Sequence, residues 1–263
     1  MTEGRPVPAR SGSDGGARGV TAGMNTLRER LIAGAIWLFA LVAVAMFRLV
    51  DATLDLRVFG YDHLGGLLRA GRPVLIVVWH GRGLLPVFFL QGLPLVVYSS
   101  QARQGRIPAL SRYVRQLTLA SLQHLGYHVL DAARFSSESR GVIRLLQYLE
   151  RGQGGMIAAD GPGGPVFRAK PGAAYVAKKT GVALVPVGAA IRDAIALDSW
   201  DRFEIPQVFT KAALAIGEPL EVPQDVDEAG LERLSRRLET LLNDLTAQAE
   251  LEAFARPIEP RTA

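Results

Sequence analysis

The sequence contains no cysteine. This absence excludes thiol nucleophiles, disulfide bonds and zinc sites built from cysteine. The sequence also lacks a helix-turn-helix pattern, an aromatic RNA-binding strand and any dense run of lysine or arginine. Its mean hydropathy of +0.17 is high for a soluble domain. Together these features argue against a nucleic-acid partner.

Two further absences concern catalytic motifs. No G-x-S-x-G segment is present, so the serine elbow of many hydrolases is missing. No Gly-Lys-Ser/Thr segment follows a glycine-rich turn, so the chain has no P-loop for nucleotide phosphates. Any covalent nucleophile or phosphate site must therefore take another form.

The composition indicates one large domain. The 263 residues, 49% of them hydrophobic, can bury a sizeable core without disulfide or metal staples. The formal net charge is +5 and the pI is about 9.8. A basic balance favours an anionic partner such as a lipid headgroup or a phosphorylated substrate.

The amino-terminal region divides into two segments. Residues 1–23 are rich in Gly, Ser, Pro and Arg, and we expect a disordered tail. Within residues 24–56 an uncharged apolar stretch, 31–47, is flanked by arginines. It could span a membrane, act as a cleaved signal peptide, lie in one leaflet, or form a buried core helix. We favour a helix lying in one leaflet.

Beyond residue 57, strand-like and helix-like patterns alternate, which predicts an α/β domain over 57–222 with a mostly parallel sheet covered by helices. A carboxyl-terminal segment, 223–263, contains a leucine stripe over 228–250 that predicts an amphipathic helix, packed on the domain or forming a dimer contact. The predicted strands are 74–79, 94–99, 127–130, 155–159, 183–189 and 212–217. The predicted helices are 105–125, 137–150 and 172–180. The glycines that follow them, Gly126, Gly152 and Gly181, are predicted to end these helices.

The strand 74–79 ends in the segment WHG, which places His80 directly after a run that reads as buried on both faces. Side chains just past the carboxyl ends of such strands often carry the chemistry of α/β folds. His80 is therefore a candidate general base, since imidazole titrates near neutral pH. The alternative is a hydrogen-bonded histidine at the boundary of the core.

A second strand runs into the segment DGPGGP, residues 160–165, in which Asp160 precedes Gly161, Gly163 and Gly164. Such a series suits a sharp turn or a close backbone approach to a ligand. Arg168 and Lys170 follow, just before a predicted helix start, and this combination would suit a phosphate group. An ordinary glycine turn is the alternative.

Several segments occur in an order that resembles the lysophospholipid acyltransferase superfamily, in particular a bacterial branch long described as a domain of unknown function. The resemblance covers roughly residues 57–222. The segments are WHG at 79–81, SSQARQGR at 99–106, SSESRG at 136–141, DGPGGP at 160–165, AKPG at 169–172, TGVALVPVG at 180–188, SWDRFEIP at 199–206 and GEPL at 217–220.

The resemblance implies a membrane-associated enzyme of phospholipid synthesis on the cytoplasmic face of the inner membrane. Its donor would be an acyl thioester of coenzyme A or acyl carrier protein, and its acceptor a hydroxyl of a lipid or lysophospholipid. His80 matches the general base that deprotonates the acceptor. No cofactor or metal is implied, because a thioester is already activated.

The chain departs from the family pattern at its acidic and basic positions. The family's usual aspartate, five positions after the histidine, is Leu85 here, and the arginine of the family's DGPRGP-like block is Gly163. The family branch has acids in a segment that reads Gln104, Gly105 and Arg106 in this chain. We therefore expect Asp160 to support His80, with Glu138 as second choice. The candidate phosphate ligands are Arg168, Lys170, Arg140 and Arg103.

Two other functions stay open at this point. The missing acids favour a catalytically weakened relative that binds or presents lipids. The loop 160–172 also suits an enzyme that binds a nucleotide or a sugar phosphate.

The apolar segment generates a first prediction. We expect the full-length protein to stay with the membrane fraction during mild alkaline carbonate extraction, because a helix lying in one leaflet is held by apolar burial and not by charge alone. Immunoblotting of the two fractions checks this. A soluble full-length protein, or a mature form beginning near Met46, would contradict it.

Overall fold

The computed structural model describes residues 15–99, 108–135 and 138–255, and their side chains apart from those of 15–28, 108–111 and 138. Its helices are α1 (Gly15–Asp51), α2 (Tyr61–Arg69), α3 (Leu84–Phe89), α4 (Pro108–His124), α5 (Glu138–Glu150), α6 (Gly172–Thr180) and α7 (Glu228–Phe254). Its strands are β1 (Asp55–Phe59), β2 (Val74–Val78), β3 (Leu95–Ser99), β4 (His128–Asp131), β5 (Gly154–Ala158), β6 (Ala183–Ile191), β7 (Ala194–Ala196), β8 (Glu204–Pro206) and β9 (Lys211–Ile216).

A seven-stranded sheet forms the centre, in the order β1-β9-β6-β2-β5-β3-β4. From β6 through β4 all neighbours are parallel, whereas β9 runs antiparallel to β6, and β1 is parallel to β9. The carboxyl ends of β2 to β6 therefore lie at one edge, together with the amino ends of β9 and β1. We call this the carboxyl edge. Strands β7 and β8 form a separate small hairpin.

Strand β2 is covered on both faces of the sheet, since each of its five residues is buried. Val74, Ile76 and Val78 belong to the core beneath α1 to α4, and Leu75 and Val77 belong to the core beneath α5 to α7. A continuous apolar run of this kind is typical of a parallel strand between two helical layers. The predicted fold class, a mostly parallel sheet covered by helices, is confirmed.

The glycines predicted to end helices do so. Gly126, Gly152 and Gly181 follow α4, α5 and α6 with φ values of 89°, 82° and 70°, in the left-handed region that glycine enters without a Cβ penalty. The sequence analysis did not predict β1, β7, β8, α2 or α3. These elements are short, from three to nine residues, so each holds too few residues to show a period.

The apolar amino-terminal helix lies against the domain. Helix α1 begins at Gly15, so residues 15–23, which we expected in the tail, are helical, whereas 1–14 lie outside the described residues. Ala40 and Val44 are buried, and a ring nitrogen of His124 in α4 lies 3.1 Å from the carbonyl oxygen of Trp37. Most of the other side chains between Leu31 and Leu49 are apolar and exposed. The stretch Glu29–Asp51 is long and apolar enough to cross a membrane.

The carboxyl-terminal helix packs along the sheet. Packing on the domain was one of the two alternatives that the leucine stripe predicted. Leu238 and Leu242 of α7 are fully buried in the core beneath α5 to α7. The helix backbone also approaches β6 very closely. A Cβ at Gly188 would lie 2.3 Å from the carbonyl carbon of Leu245 and 2.5 Å from the amide nitrogen of Thr246.

This close approach predicts that Gly188→Ala destabilises the protein by about 1–3 kcal/mol, because two backbone segments must separate to admit one methyl group. Gly66→Ala is the matched control, since a Cβ at this helical glycine meets nothing within 4 Å. We expect the control to be neutral or slightly stabilising. Thermal unfolding of both variants checks the prediction, and equal melting temperatures would contradict it.

Candidate active site

Three segments meet at the carboxyl edge of the sheet. His80 begins a short turn, His80–Arg82, after β2, and Asp160 follows β5. Strand β6 leads into the hairpin β7–β8, whose connecting turn carries Asp201. Because β5 and β6 are the two neighbours of β2, these segments converge on His80.

The imidazole of His80 is paired with Asp201. Its Nδ1 lies 2.5 Å from Oδ2 of Asp201, a carboxylate that is only 4% exposed. An ionised carboxylate can only accept, so Nδ1 must carry the proton and Nε2 is left with its lone pair. The His80 side chain is 45% exposed, which leaves the ring accessible to a reacting group.

The environment of Asp201 keeps its carboxyl ionised. Burial raises its pKa, but hydrogen bonds from His80 and Ser199 outweigh the burial and leave the pKa below its usual value. The Ser199 hydroxyl donates to Oδ1 of Asp201 at 2.5 Å. The carboxylate is therefore fixed in orientation by two donors, one on each oxygen.

A glycine permits this pairing. A Cβ at Gly81 would lie 2.1 Å from the carbonyl oxygen of Asp201, so any side chain at position 81 would push the two segments apart. The glycine of the segment WHG is thus explained by the packing of one turn against another.

A mostly buried ion pair joins the turn that begins at His80 to the hairpin β7–β8. Arg82 Nη1 lies 2.9 Å from Oε1 of Glu204, and both side chains are less than a fifth exposed. The guanidinium carbon of Arg82 also lies 5.4 Å from the ring centre of Phe167, which follows the glycine-rich segment 160–165 in the loop 160–172. Burial raises the pKa of Glu204 and the charge of Arg82 opposes that rise. Arg82 therefore connects the His80 turn, the hairpin and the glycine-rich segment.

Asp160 contacts His80 at its main chain and not at its ring. Oδ1 of the fully buried Asp160 accepts the backbone N–H of His80 at 3.0 Å. Its Oδ2 has no hydrogen-bond partner among the described residues. Burial is the largest influence on this group and raises its pKa. We expected Asp160 to support the ring; Asp201 occupies that position instead, because the turn between β7 and β8 reaches the Nδ1 side of the ring.

The glycine-rich segment has the backbone that the sequence predicted. Gly161, Gly163 and Gly164 all have φ between 60° and 72°. A Cβ at Gly164 would lie 2.9 Å from the Trp200 ring, whose centre is 5.4 Å from that of His80. This segment therefore packs directly against the residues around the imidazole.

The predicted phosphate ligands differ in their surroundings. Arg168 pairs with Glu239 of α7 at 2.8 Å, and Lys170 donates to the carbonyl oxygen of Pro162 at 3.2 Å. Arg140 is exposed in the first turn of α5. Arg103, Gln104, Gly105 and Arg106 lie outside the described residues, as does the side chain of Glu138. Within the part of the chain that is described, Arg168 and Lys170 thus each have a partner inside the protein.

Sequence reasoning missed Asp201. The segment SWDRFEIP was part of the family resemblance, and its Ser-x-Asp spacing was the available signal. However, 121 residues separate Asp201 from His80, and no periodic pattern connects them. Only the position of the hairpin at the carboxyl edge joins the two residues.

An apolar cavity of about 370 Å³ opens beside His80. It lies between the sheet and helices α1, α3 and α4, and ligand pockets commonly have volumes of about 300–1,000 Å³. Its walls include Val44 and Phe47 of α1 and Ser121 and Leu125 of α4. Helix α4 runs away from the carboxyl edge and ends at His124. Because residues near this end line the cavity, the cavity extends from the imidazole into the space between the sheet and helices α1 and α4.

Among the described residues, no group of three or more His, Asp or Glu side chains is arranged to hold a metal ion.

Comparisons with known proteins give limited matches. No protein-family model matches the chain. An uncharacterized protein of Rickettsia prowazekii is 29% identical over 173 residues, which cover 65% of this chain and 74% of that protein. The crystal structure of the 1-acyl-sn-glycerophosphate (LPA) acyltransferase PlsC from Thermotoga maritima has a TM-score of 0.47 and 19% identity, and the match covers 87% of this chain and 84% of that one.

The raised pKa of Asp160 predicts a pH-dependent stability. Relative to its ordinary value of 3.8, a raised pKa means that the folded state favours the protonated carboxyl, so this group stabilises the fold below about pH 4 and that stabilisation is lost as the pH rises through the folded pKa. In Asp160→Asn the side-chain oxygen can still accept the hydrogen bond from the His80 amide, but the side chain carries no charge. Its melting temperature relative to wild type should therefore rise between pH 4 and pH 7.

Two variants accompany this measurement. Asp160→Ala leaves the His80 amide unpaired and should cost about 1–3 kcal/mol relative to Asp160→Asn at any pH. Asp198→Asn changes an exposed carboxylate of the same edge and serves as the control. If the difference in melting temperature between Asp160→Asn and wild type did not change with pH, the prediction would be contradicted.

Proposed function

We propose that the protein is a membrane-associated acyltransferase that moves an acyl group from a thioester donor to a hydroxyl of a lipid acceptor. The observation that carries this proposal is the His80–Asp201 pair at the mouth of the apolar cavity. An imidazole that can take a proton and an adjoining apolar cavity together allow a hydroxyl to be deprotonated beside a bound acyl chain. The ordered segments that resemble lysophospholipid acyltransferases agree with it.

The proposed reaction begins at Nε2 of His80. The acceptor hydroxyl attacks the thioester carbonyl while Nε2 takes its proton, and the new C–O bond forms. The C–S bond then breaks, and the departing thiolate takes the proton from the imidazolium. Asp201 holds the ring in the tautomer that leaves Nε2 free and stabilises the positive charge of the imidazolium. No protein nucleophile is needed, which suits a chain without cysteine.

The cavity would hold the acyl chain of the donor. Apart from His80, its wall near the base includes apolar side chains of β2, α3 and β5, such as Val78, Leu84 and Met156. The deeper wall is formed by α1 and α4. A chain bound there would point its carbonyl end towards the imidazole.

The exposed apolar surface of α1 supports a position at the membrane. Because Ala40 and Val44 face the domain while Leu38, Phe39 and Met46 are exposed, the helix has one docked side and one free side. A helix of this kind suits insertion into a single leaflet, with the domain held at the surface. A lipid acceptor would then reach the site from the bilayer.

The identity of the acid partner favours an enzyme over a lipid-binding relative. Leu85 is buried in the core and offers no carboxylate, and this motivated the lipid-binding alternative. Asp201 supplies an ionised carboxylate to the ring from another segment. The site therefore retains both members of a histidine–acid pair.

His80→Gln and Asp201→Asn test the proposed roles. Glutamine cannot act as a base, so we expect turnover to fall by about two to four orders of magnitude with the melting temperature little changed. Asp201→Asn should also reduce turnover strongly, because an amide oxygen bears no charge to stabilise the imidazolium. Asp198→Asn, in the same turn, should leave turnover unchanged.

The assay follows transfer of a radiolabelled long acyl chain from coenzyme A or acyl carrier protein to a panel of lysophospholipids. A His80→Gln variant that keeps more than about a tenth of the wild-type rate would remove His80 from the mechanism. If wild-type protein transferred no acyl group from either donor but bound the lipids, the lipid-binding function would replace the proposal.

The cavity gives a separate prediction about the donor. Ser121→Phe places a bulky side chain in the deeper wall formed by α4, so we expect the preferred acyl chain to become shorter while transfer of short chains is retained. Ser121→Ala is the control and should keep the wild-type preference. Competition between acyl thioesters of graded length measures the effect, and an unchanged preference in Ser121→Phe would place the acyl chain elsewhere.

A further inference from the structure

The chain between β6 and β9, residues 192–210, carries an unusual number of exposed apolar side chains. It includes the hairpin β7–β8 and leaves the main sheet as an excursion. We call the exposed apolar residues of this excursion the apolar rim: Ile195, Leu197, Trp200, Val208 and Phe209. Single exposed apolar residues are ordinary on protein surfaces, but a group gathered on one short segment indicates a binding surface.

The apolar rim lies at the same edge of the sheet as the candidate active site. The amide of Arg192 donates to the carbonyl oxygen of Lys211 at 2.9 Å, so the excursion begins and ends at the carboxyl edge. Within it, the ring centre of Trp200 is 5.4 Å from that of His80. Whatever binds the rim is therefore held next to the imidazole.

Phe209 is fixed in an outward position. Its side chain is 82% exposed, and its φ of 57° is an uncommon value for a bulky residue. Its amide donates to Oγ1 of Thr53 at 3.0 Å, and Thr53 lies just after the end of α1. The rim is thus tied directly to the carboxyl-terminal end of α1, where Met46 and Leu49 are also exposed.

We propose that the apolar rim is a second membrane-binding element, which inserts into the lipid surface beside α1. The inference rests on the proposed membrane position of α1, because the rim adjoins the carboxyl-terminal end of that helix. Aromatic side chains such as Trp200 and Phe209 suit the boundary between headgroups and acyl chains. With two contacts, the domain is oriented so that the mouth of the cavity faces the bilayer.

The charges of the excursion indicate how the contact works. Its exposed charged residues are Arg192, Asp193, Asp198 and Arg202, two of each sign. Electrostatic attraction to anionic lipid is therefore weak here, and burial of the rim is expected to depend on apolar contact. We expect binding of the rim to be the same in zwitterionic and in anionic vesicles.

Single cysteines test the proposal, since the natural chain has none. The full chain is reconstituted into phosphatidylethanolamine–phosphatidylglycerol or phosphatidylcholine vesicles with an environment-sensitive fluorophore at Ile195→Cys or Val208→Cys. Phe39→Cys reports the position of α1, and Ile143→Cys, exposed on α5, is the matched control on the opposite face of the sheet. Quenching by nitroxide groups on the lipid acyl chains is measured for each label.

We expect nitroxide lipids to remove most of the fluorescence from labels at 195, 208 and 39, and little from the label at 143. Quenching at 39 without quenching at 195 and 208 would overturn the second element while leaving the α1 anchor intact. Labels at 195 and 208 that are shielded from aqueous iodide but not quenched by lipid would show that a second copy of the chain covers the rim, which also overturns the proposal. Quenching at none of the sites would overturn both membrane contacts without bearing on acyl transfer.

Discussion

The candidate site depends on one hydrogen bond, from Nδ1–H of His80 to the carboxylate of Asp201. It sets the tautomer of the imidazole, and so decides that Nε2 is the nitrogen able to take a proton. The surrounding structure keeps the bond short. Gly81 allows the two turns to touch, Ser199 fixes the second carboxylate oxygen, and the buried pair of Arg82 and Glu204 joins the same segments.

Two carboxylates lie next to His80, and their environments give them different properties. Asp201 receives two hydrogen bonds from side chains, and its pKa is lowered despite burial. Asp160 receives one backbone amide on one oxygen and is fully buried, and its pKa is raised. An ionised carboxylate suits a group that must stabilise a positive ring. Asp160, which accepts the His80 amide and not the ring, has a structural role at the end of β5.

Helix α1 connects the site to the proposed membrane surface. One side of the helix contributes Val44 and Phe47 to the wall of the cavity, and the opposite side is exposed and apolar. The end of the helix meets the apolar rim through Thr53 and Phe209. Helix α1 therefore contacts the cavity along one side and the rim at its carboxyl-terminal end.

Local patterns in the sequence are enough to predict the layered α/β fold, most of its long helices and sheet strands, the glycine stops and the position of His80 after β2. Each of these follows from local patterns: a buried apolar run for β2, helical spacing for α4 to α7, and a left-handed turn at Gly126, Gly152 and Gly181. Three contacts depend on the folded arrangement of distant segments: Asp201 and not Asp160 meets the ring, Arg168 pairs with Glu239, and the rim adjoins α1. These contacts join residues far apart in the chain, and their geometry depends on strand order and on the path of a short hairpin, neither of which leaves a periodic signal in the sequence.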